Sequence, residues 1–293
     1  MTAPDDLLAF KRLIEERNTA FSKSQKKIAS YLLSDHDHAA FMNASEIAGN
    51  LGVSEATIVR FATALGFDGF PQLRKFLQNI LRDKVSPAIR MRNKLEDLRH
   101  GEGHILSQMI EMETKSISEI GHTIHVEDFD AAVATLLGAE RIFVFGNGPS
   151  RMLAELLELR LNRFGIMTIS LIDSGRDLLE KLILLKPGDV LFATAFARIT
   201  GELVAVLKHA RQLACKRILL TDISDTDLFS YADTVLSVKR GPIHSFHSLS
   251  APMTVLNAMI LAIAMAKPDE SLRSLAELEE FRKEYDLDPI GSL

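Results

Sequence analysis

Two clusters of side chains in this sequence have types and spacings that suit chemistry. The first lies in residues 44–70, ASEIAGNLGVSEATIVRFATALGFDGF. Ser45 is read as the cap of a short helix whose Ile47, Ala48 and Leu51 face inward, with Ala48 small because the next helix crosses close to it. Gly52 supplies the left-handed residue that ends this helix, Val53 fills the angle, and Ser54 caps a second helix. There Ile58, Val59 and Leu65 are placed inward, leaving Glu55, Ala56, Thr57, Arg60 and Thr63 on the outer face. Such a face suits nucleic acid: Ser54 and Thr57 fit phosphate or base-edge contacts, and Arg60 reaches guanine or phosphate. The candidate DNA contacts are therefore Ser45, Ser54, Glu55, Thr57, Arg60 and Thr63. A helical hairpin with a glycine turn is the bland alternative. The joint spacing of Ala48, Gly52, Val53, Ser54, Thr57 and Arg60 favours a helix-turn-helix. Lys23, Lys26 and Lys27 either add phosphate contacts or form a solvated helix face.

The second cluster is Gly146-Asn147-Gly148-Pro149-Ser150. Two glycines let the backbone turn sharply and approach a ligand, and Pro149 suits the first helical position. Ser150 and the free amides of that helix end can hold a phosphate or carboxylate. A tight strand-to-helix turn without any ligand explains the same residues, because this glycine pattern is a weak signal. A dinucleotide is the rival ligand. Its fingerprint wants a third glycine where Arg151 stands, although Asp173 follows the second strand at the distance of a ribose-binding acid.

The elements that must position these clusters differ along the chain. The first hundred residues read as successive helices: Leu7, Leu8, Phe10, Leu13 and Ile14 recur at helical spacing, as do Ile28, Ala29, Leu32 and Leu33. Ser22 and Ser24 are candidate caps of the second helix. Beyond about residue 122, short β-rich runs at 141–145, 166–172, 190–194, 217–221 and 234–238 alternate with helical stretches at 150–164, 176–185, 201–214 and 227–231. That alternation predicts a parallel sheet covered on both faces, with ligands at the carboxyl ends of its strands. The expected divisions are a DNA-binding domain at 1–80, a partly helical linker at 81–121, an α/β domain at 122–270 and a C-terminal tail at 271–293.

Composition bounds the alternatives. With 47% hydrophobic and 25% charged residues the chain reads as globular. The net charge of −5 divides into +3 over residues 1–100 and −8 over the remainder, which is compatible with a nucleic-acid partner for the first part. A single Cys215 excludes an internal disulfide and fits a reducing cytosol. Thr2, Ala3, Pro4 and two aspartates after Met1 suggest no secretion leader, so a cytoplasmic location is expected. The apolar stretch at 254–266 contains Asn257 and is too short to span a bilayer, so no membrane partner is expected.

Residues 53–74, VSEATIVRFATALGFDGFPQLR, closely resemble the N-terminal domain of the RpiR family of bacterial regulators, down to the Gly66-Phe67 and Gly69-Phe70 pair. The resemblance continues through a second domain that looks like a sugar isomerase (SIS) domain. It implies an all-α helix-turn-helix domain followed by an α/β SIS domain. It also implies a cytoplasmic repressor or activator, a homodimer or homotetramer on a double-stranded DNA operator, and commonly a phosphosugar effector. In phosphosugar-binding SIS domains the loop after the third strand usually reads Ile-Ser-x-Ser-Gly-x-Thr. Here Thr194-Ala195-Phe196-Ala197-Arg198-Ile199-Thr200 stands in its place, with both serines replaced by alanine and the glycine by arginine. Two lost hydroxyl donors remove hydrogen bonds worth about 1–3 kcal/mol each to a charged ligand. Arg198 either compensates with a bidentate grip on an anion or is a surface arginine; Phe196 walls the pocket or packs in the core. The candidate effector residues are Gly146, Asn147, Gly148, Ser150, Thr194, Arg198 and Thr200.

The leading function is a DNA-binding regulator on an inverted repeat that senses a small anionic effector. A second possibility is an SIS-like domain that only dimerises the DNA readers or binds a dinucleotide. A sugar-phosphate isomerase needs a positioned base, and Glu155, Glu158 and Glu202 belong to no recognisable constellation. His244 and His247 lie three apart before the apolar helix, where Ser245 or Ser248 can cap it, and His36 and His38 fit a polar helix end. No metal and no cofactor is assigned.

Overall fold

The computed structural model describes residues 7–34, 39–40, 42–82, 87–223, 225–240 and 248–285. The chain divides into two compact units near residue 100. His36, His38, His244, Ser245 and His247 lie outside the described residues.

The first unit is helical: α1 (Leu7–Arg17), α2 (Lys23–Ser34), α3 (Ala44–Leu51), α4 (Glu55–Ala64), α5 (Phe70–Arg82) and α6 (Pro87–His100). Its core gathers Phe10, Ile28, Leu32, Ile47, Phe61 and Leu73, all 1% exposed or less. Each such side chain gains about 1.5–3 kcal/mol from burial, an upper bound because unfolded chains already bury some apolar surface. Ser22, not Ser24, starts α2: its hydroxyl accepts from the Gln25 amide at 3.3 Å, and Gln25 Oε1 accepts from the Ser22 amide at 2.9 Å. This reciprocal pair is a capping box, and Ser24 lies two residues too far along the chain to make it.

The second unit begins with α7 (Ile105–Ser118) and α8 (Val126–Leu137). Then follow β1 (Ile142–Gly146), α9 (Arg151–Asn162), β2 (Thr168–Leu171), α10 (Gly175–Leu182), β3 (Val190–Ala195) and α11 (Gly201–Gln212). It closes with β4 (Lys216–Thr221), β5 (Thr234–Ser237), α12 (Ser250–Ala266) and α13 (Pro268–Glu284). The five strands are parallel in the order β2-β1-β3-β4-β5. Alternate strand residues face opposite covers. Ile142, Val144, Phe192 and Leu220 pack with α8, α9 and α12, whereas Phe143, Phe145, Leu191 and Leu219 pack with α10 and α11. Burial on both faces explains why these strands read as apolar runs with little alternation.

Residues 81–121, read as a partly helical linker, contain α6 and α7, and the tail at 271–293 contains most of α13. Leu, Met, Glu, Lys and Arg favour helix there on propensity alone, and Pro87 and Pro268 stand at helix starts. Among the described residues, no single helix is long and apolar enough to cross a membrane.

Candidate nucleic-acid interface and effector site

The turn between α3 and α4 is built as its residues require. Gly52 sits at φ 61°, ψ 42°, a conformation that costs a residue with a Cβ, and the Val53 amide donates to the Ala48 carbonyl at 3.0 Å. Val53 packs against the core and Ala48 is buried where the helices meet. The cap of α3 is Asn43, not Ser45. Asn43 Oδ1 accepts from the Glu46 amide at 2.8 Å and Glu46 Oε2 accepts from the Asn43 amide at 2.6 Å, which leaves Ser45 exposed in the first turn. On α4 the core face is Ile58, Phe61, Ala62 and, just beyond the helix, Leu65. Val59, expected inward, is 40% exposed, because the four buried positions already complete a stripe at i, i+3, i+4 and i+7.

The outward face of α4 carries Ser54, Glu55, Ala56, Arg60 and Thr63, all exposed, with Thr57 half-buried beside them. Ser54 is the N-cap residue, yet its hydroxyl lies 2.8 Å from the Thr57 hydroxyl rather than on a backbone amide. Two hydroxyls thus stand together at the positive end of the helix, where a phosphate is favoured. Arg60 takes no partner among the described residues, so its guanidinium is available. Lys27 is not: its ammonium donates to the Leu51 carbonyl and so holds the end of α3. Arg17 does the same for α4 through the Ala64 carbonyl. Lys23 and Lys26 remain exposed.

In the sheet the order 2-1-3-4-5 makes β1 and β3 neighbours whose following helices leave to opposite faces. The crevice that opens between those two loops is where open parallel sheets hold ligands. Gly146, paired with Thr194, is packed so tightly that a Cβ there would lie 2.5 Å from the Ser150 carbonyl oxygen. Gly148 takes φ 53°, and residues 148–150 form a single 3-10 turn into α9. Ser150 is 5% exposed and its hydroxyl makes no hydrogen bond among the described residues. Asn147 Nδ2 donates to Thr200 Oγ1 at 3.1 Å, tying the two loops together. Thr200 also caps α11 by accepting from the Leu203 amide at 3.2 Å. Glu202 closes the same corner, accepting from Asn147 Nδ2 at 3.4 Å and from the Gly175 amide at 3.1 Å.

Comparison with known proteins decides the class. Residues 9–84 match the helix-turn-helix domain of the rpiR family, and residues 135–262 match the SIS domain. The chain carries an rpiR-family helix-turn-helix domain followed by a SIS domain. It is 27% identical over 282 residues to an HTH-type transcriptional regulator of Caldanaerobacter subterraneus subsp. tengcongensis, covering 94% of this chain and 96% of that one. The sugar isomerase domain of the RpiR transcription factor from Sphaerobacter thermophilus superposes with a TM-score of 0.57 at 26% identity, over 61% of this chain and 99% of that one. The Vibrio vulnificus NanR protein complexed with ManNAc-6P superposes with a TM-score of 0.58 at 21% identity, over 94% of this chain and 97% of that one, a likeness of fold.

In this protein the expected effector residues have partners or exposures of their own. Thr194 is fully buried and its hydroxyl donates to the Phe145 carbonyl at 2.9 Å, so it ties β3 to β1 and is not available to a ligand. Arg198 is exposed, with no partner among the described residues. The interior place is taken by Arg240, whose guanidinium lies 4.3 Å from the centre of the Phe196 ring and pairs with Asp222 at 2.8 Å. Asp173 pairs with Lys181 at 2.7 Å, and that ammonium, more than any other group, holds its carboxyl below the usual carboxylate range. A ribose would have to displace it. Glu158 accepts from the Ser170 amide at 3.2 Å, and Glu155 is exposed. Ser248 supports the start of α12, its hydroxyl accepting from the Ser250 amide at 3.0 Å. Asp222, Arg240 and Glu202's bridging role escaped sequence reasoning, although Asp222 directly follows a strand at the carboxyl edge, where such residues gather.

Proposed function

We propose that this regulator senses a small anionic metabolite, with sugar phosphates the first class to test, in the crevice between the loops after β1 and β3. The observation that carries the reading is Ser150. The residue is only 5% exposed, its hydroxyl has no partner among the described residues, and it stands at the start of α9 beside the tight Gly146 turn. An anion there gains from the helix dipole and the unsatisfied donors of the first turn. Gly146 and Gly148 give the backbone its approach, Asn147 and Thr200 form the opposite wall, and Arg198 is an outer arm that closes on bound ligand. The sugar phosphate on the NanR protein, which shares the fold, supports the ligand class.

In this reading α4 enters the major groove with Ser54, Thr57 and the exposed Ser45 near the backbone, and with Glu55, Arg60 and Thr63 toward base edges. A homodimer or homotetramer in the cytoplasm presents paired copies to an inverted repeat, because such half-sites mirror protein symmetry. Turnover is disfavoured, since Glu202 is committed to Asn147 and the Gly175 amide and Glu158 to the Ser170 amide. The test is a melting-shift screen against sugar phosphates, followed by operator binding with the compound that shifts the protein. Ser150→Ala and Arg198→Ala are expected to abolish the effector response and keep effector-free operator affinity. Unchanged effector affinity in both variants refutes the site. A screen without any shift favours a domain that only joins the DNA readers.

A further inference from the structure

The loop after β3 is held by the neighbouring strand ends in a way the effector reading does not use. Ala197 adopts φ 68°, and across it the Arg198 amide donates to the Phe196 carbonyl at 2.9 Å. A positive φ at a non-glycine residue persists only where the surroundings enforce it. The enforcing group is Asp222, immediately after β4: its Oδ1 accepts from the Ala197 amide at 2.8 Å. Its Oδ2 accepts from Arg240 Nε at 3.0 Å and Nη2 at 2.8 Å. The two side chains are only 10% and 7% exposed, and the guanidinium stacks on Phe196 of the same loop. Thr221 adds a bond from its hydroxyl to the Ala195 carbonyl at 2.6 Å. The near end of the loop is thus fixed from β4 and β5, and its far end, Thr200, from Asn147.

A buried ion pair is a costly way to fill space, since apolar residues of similar volume do so without desolvating charge. What a carboxylate adds is two acceptors aimed at two different donors. We propose that Asp222 and Arg240 are positioning residues for effector binding, holding the Ala197 turn and with it the wall of the crevice opposite Ser150. The inference rests on the effector reading above, and neither residue has to touch the ligand. Asparagine at 222 offers one acceptor and one donor group, so it cannot serve both the Ala197 amide and Arg240. The turn then loses its restraint, and Ala197 relaxes toward negative φ. Glycine at 197 occupies positive φ without that penalty and compensates for the lost hydrogen bond.

The experiment uses the full chain, with glucose 6-phosphate, ribose 5-phosphate, ManNAc-6P and inorganic phosphate as probes in calorimetry. For a probe that binds wild type, Asp222→Asn is expected to weaken affinity about tenfold, the loss of one charge-assisted hydrogen bond's worth of restraint. Adding Ala197→Gly to Asp222→Asn should restore most of that affinity, which a general loss of stability would not allow. Phe196→Leu leaves the ion pair intact and removes the stacking, so it decides the matter if Asp222→Asn does not fold; a loss of about threefold is expected. Wild-type affinity in Asp222→Asn and Phe196→Leu overturns the proposal, and a loss without rescue by Ala197→Gly does so as well. Ser150→Ala separates the two readings. Undiminished binding there removes the site itself, as does failure of every probe to bind wild type, and the positioning role falls with it.

Discussion

The two halves of the molecule place their working residues in opposite ways. On α4 the proposed reading face and the core face are separate: Arg60, Glu55 and Thr63 stand in solvent while Ile58, Phe61 and Ala62 carry the packing. At the sheet crest the same backbone serves both purposes. Gly146 touches the Ser150 carbonyl, Thr194 holds β1, and Thr200 caps α11 while bonding Asn147. A helix surface is free to vary in sequence without disturbing its core, whereas a crevice made from turns is part of the core. Substitutions should therefore cost the reading domain binding or stability, but the crest both together.

The sharpest test of that division runs along α4 itself. Ile58→Ala should destabilise the helical unit by about 2–5 kcal/mol, as deletion of a fully buried side chain does. Its neighbour Val59→Ala should change stability by about 0.5 kcal/mol or less, because the site is exposed. Comparable losses in chemical denaturation would place Val59 in the core and blur the boundary between the two faces. At the crest, Gly146→Ala puts a Cβ against a carbonyl oxygen, and backbone cannot yield as a side-chain end does. A cost of about 1–3 kcal/mol is expected, as for other overpacking, together with loss of the effector response. A stable Gly146→Ala that still responds would break the comparison. Arg60→Ala should then cost about 1–3 kcal/mol of specific operator binding with the melting temperature unchanged, read by gel shift against selected DNA. A lowered melting temperature would mean that the guanidinium supports the fold.

The same division explains which features were legible in the sequence. The helix-turn-helix was, because periodicity, capping and a left-handed glycine are local and fall within some twenty letters. Even its errors were local: Asn43 and Glu46 spell a capping box that the eye passes over for Ser45, and Phe61 with Ala62 completes the stripe that Val59 was enlisted to fill. The strand runs, the parallel sheet they imply and the Gly146–Ser150 turn were legible for like reasons. The loop after β3 was not. Its conformation is set by Asp222 and Arg240, 25 or more residues away, which meet it only because β4 and β5 lie beside β3. A resemblance that matched the loop letter by letter identified the missing hydroxyls and left Arg198 either gripping an anion or at the surface, and the structure leaves it exposed.

The smallest effect concerns Asp173, at the outer end of the crest, which sequence spacing offered as a ribose-binding acid. Its carboxylate is held below the usual range chiefly by the Lys181 ammonium paired with it, opposed by desolvation. A depressed folded-state pKa means that unfolding takes up protons as the solution is acidified. The contribution to stability is therefore present above the ordinary aspartate value of about 3.9 and fades as pH falls through the lower folded-state value. Both partners are substantially exposed, at 33% and 42%, so solvent screening limits the pair to a few tenths of a kcal/mol, about what exposed pairs yield. Asp173→Asn should accordingly lie slightly below wild type in urea midpoint at neutral pH and converge with it once the pH falls below the lowered folded-state value, a convergence that 1 M salt moves to higher pH by weakening the pair. The same variant sharpens the contrast between the crest's two edges, since NAD should leave the melting temperature of both proteins unmoved. A shift with NAD in wild type that disappears in Asp173→Asn would return the dinucleotide to contention and move the ligand from the β1/β3 crevice toward β2.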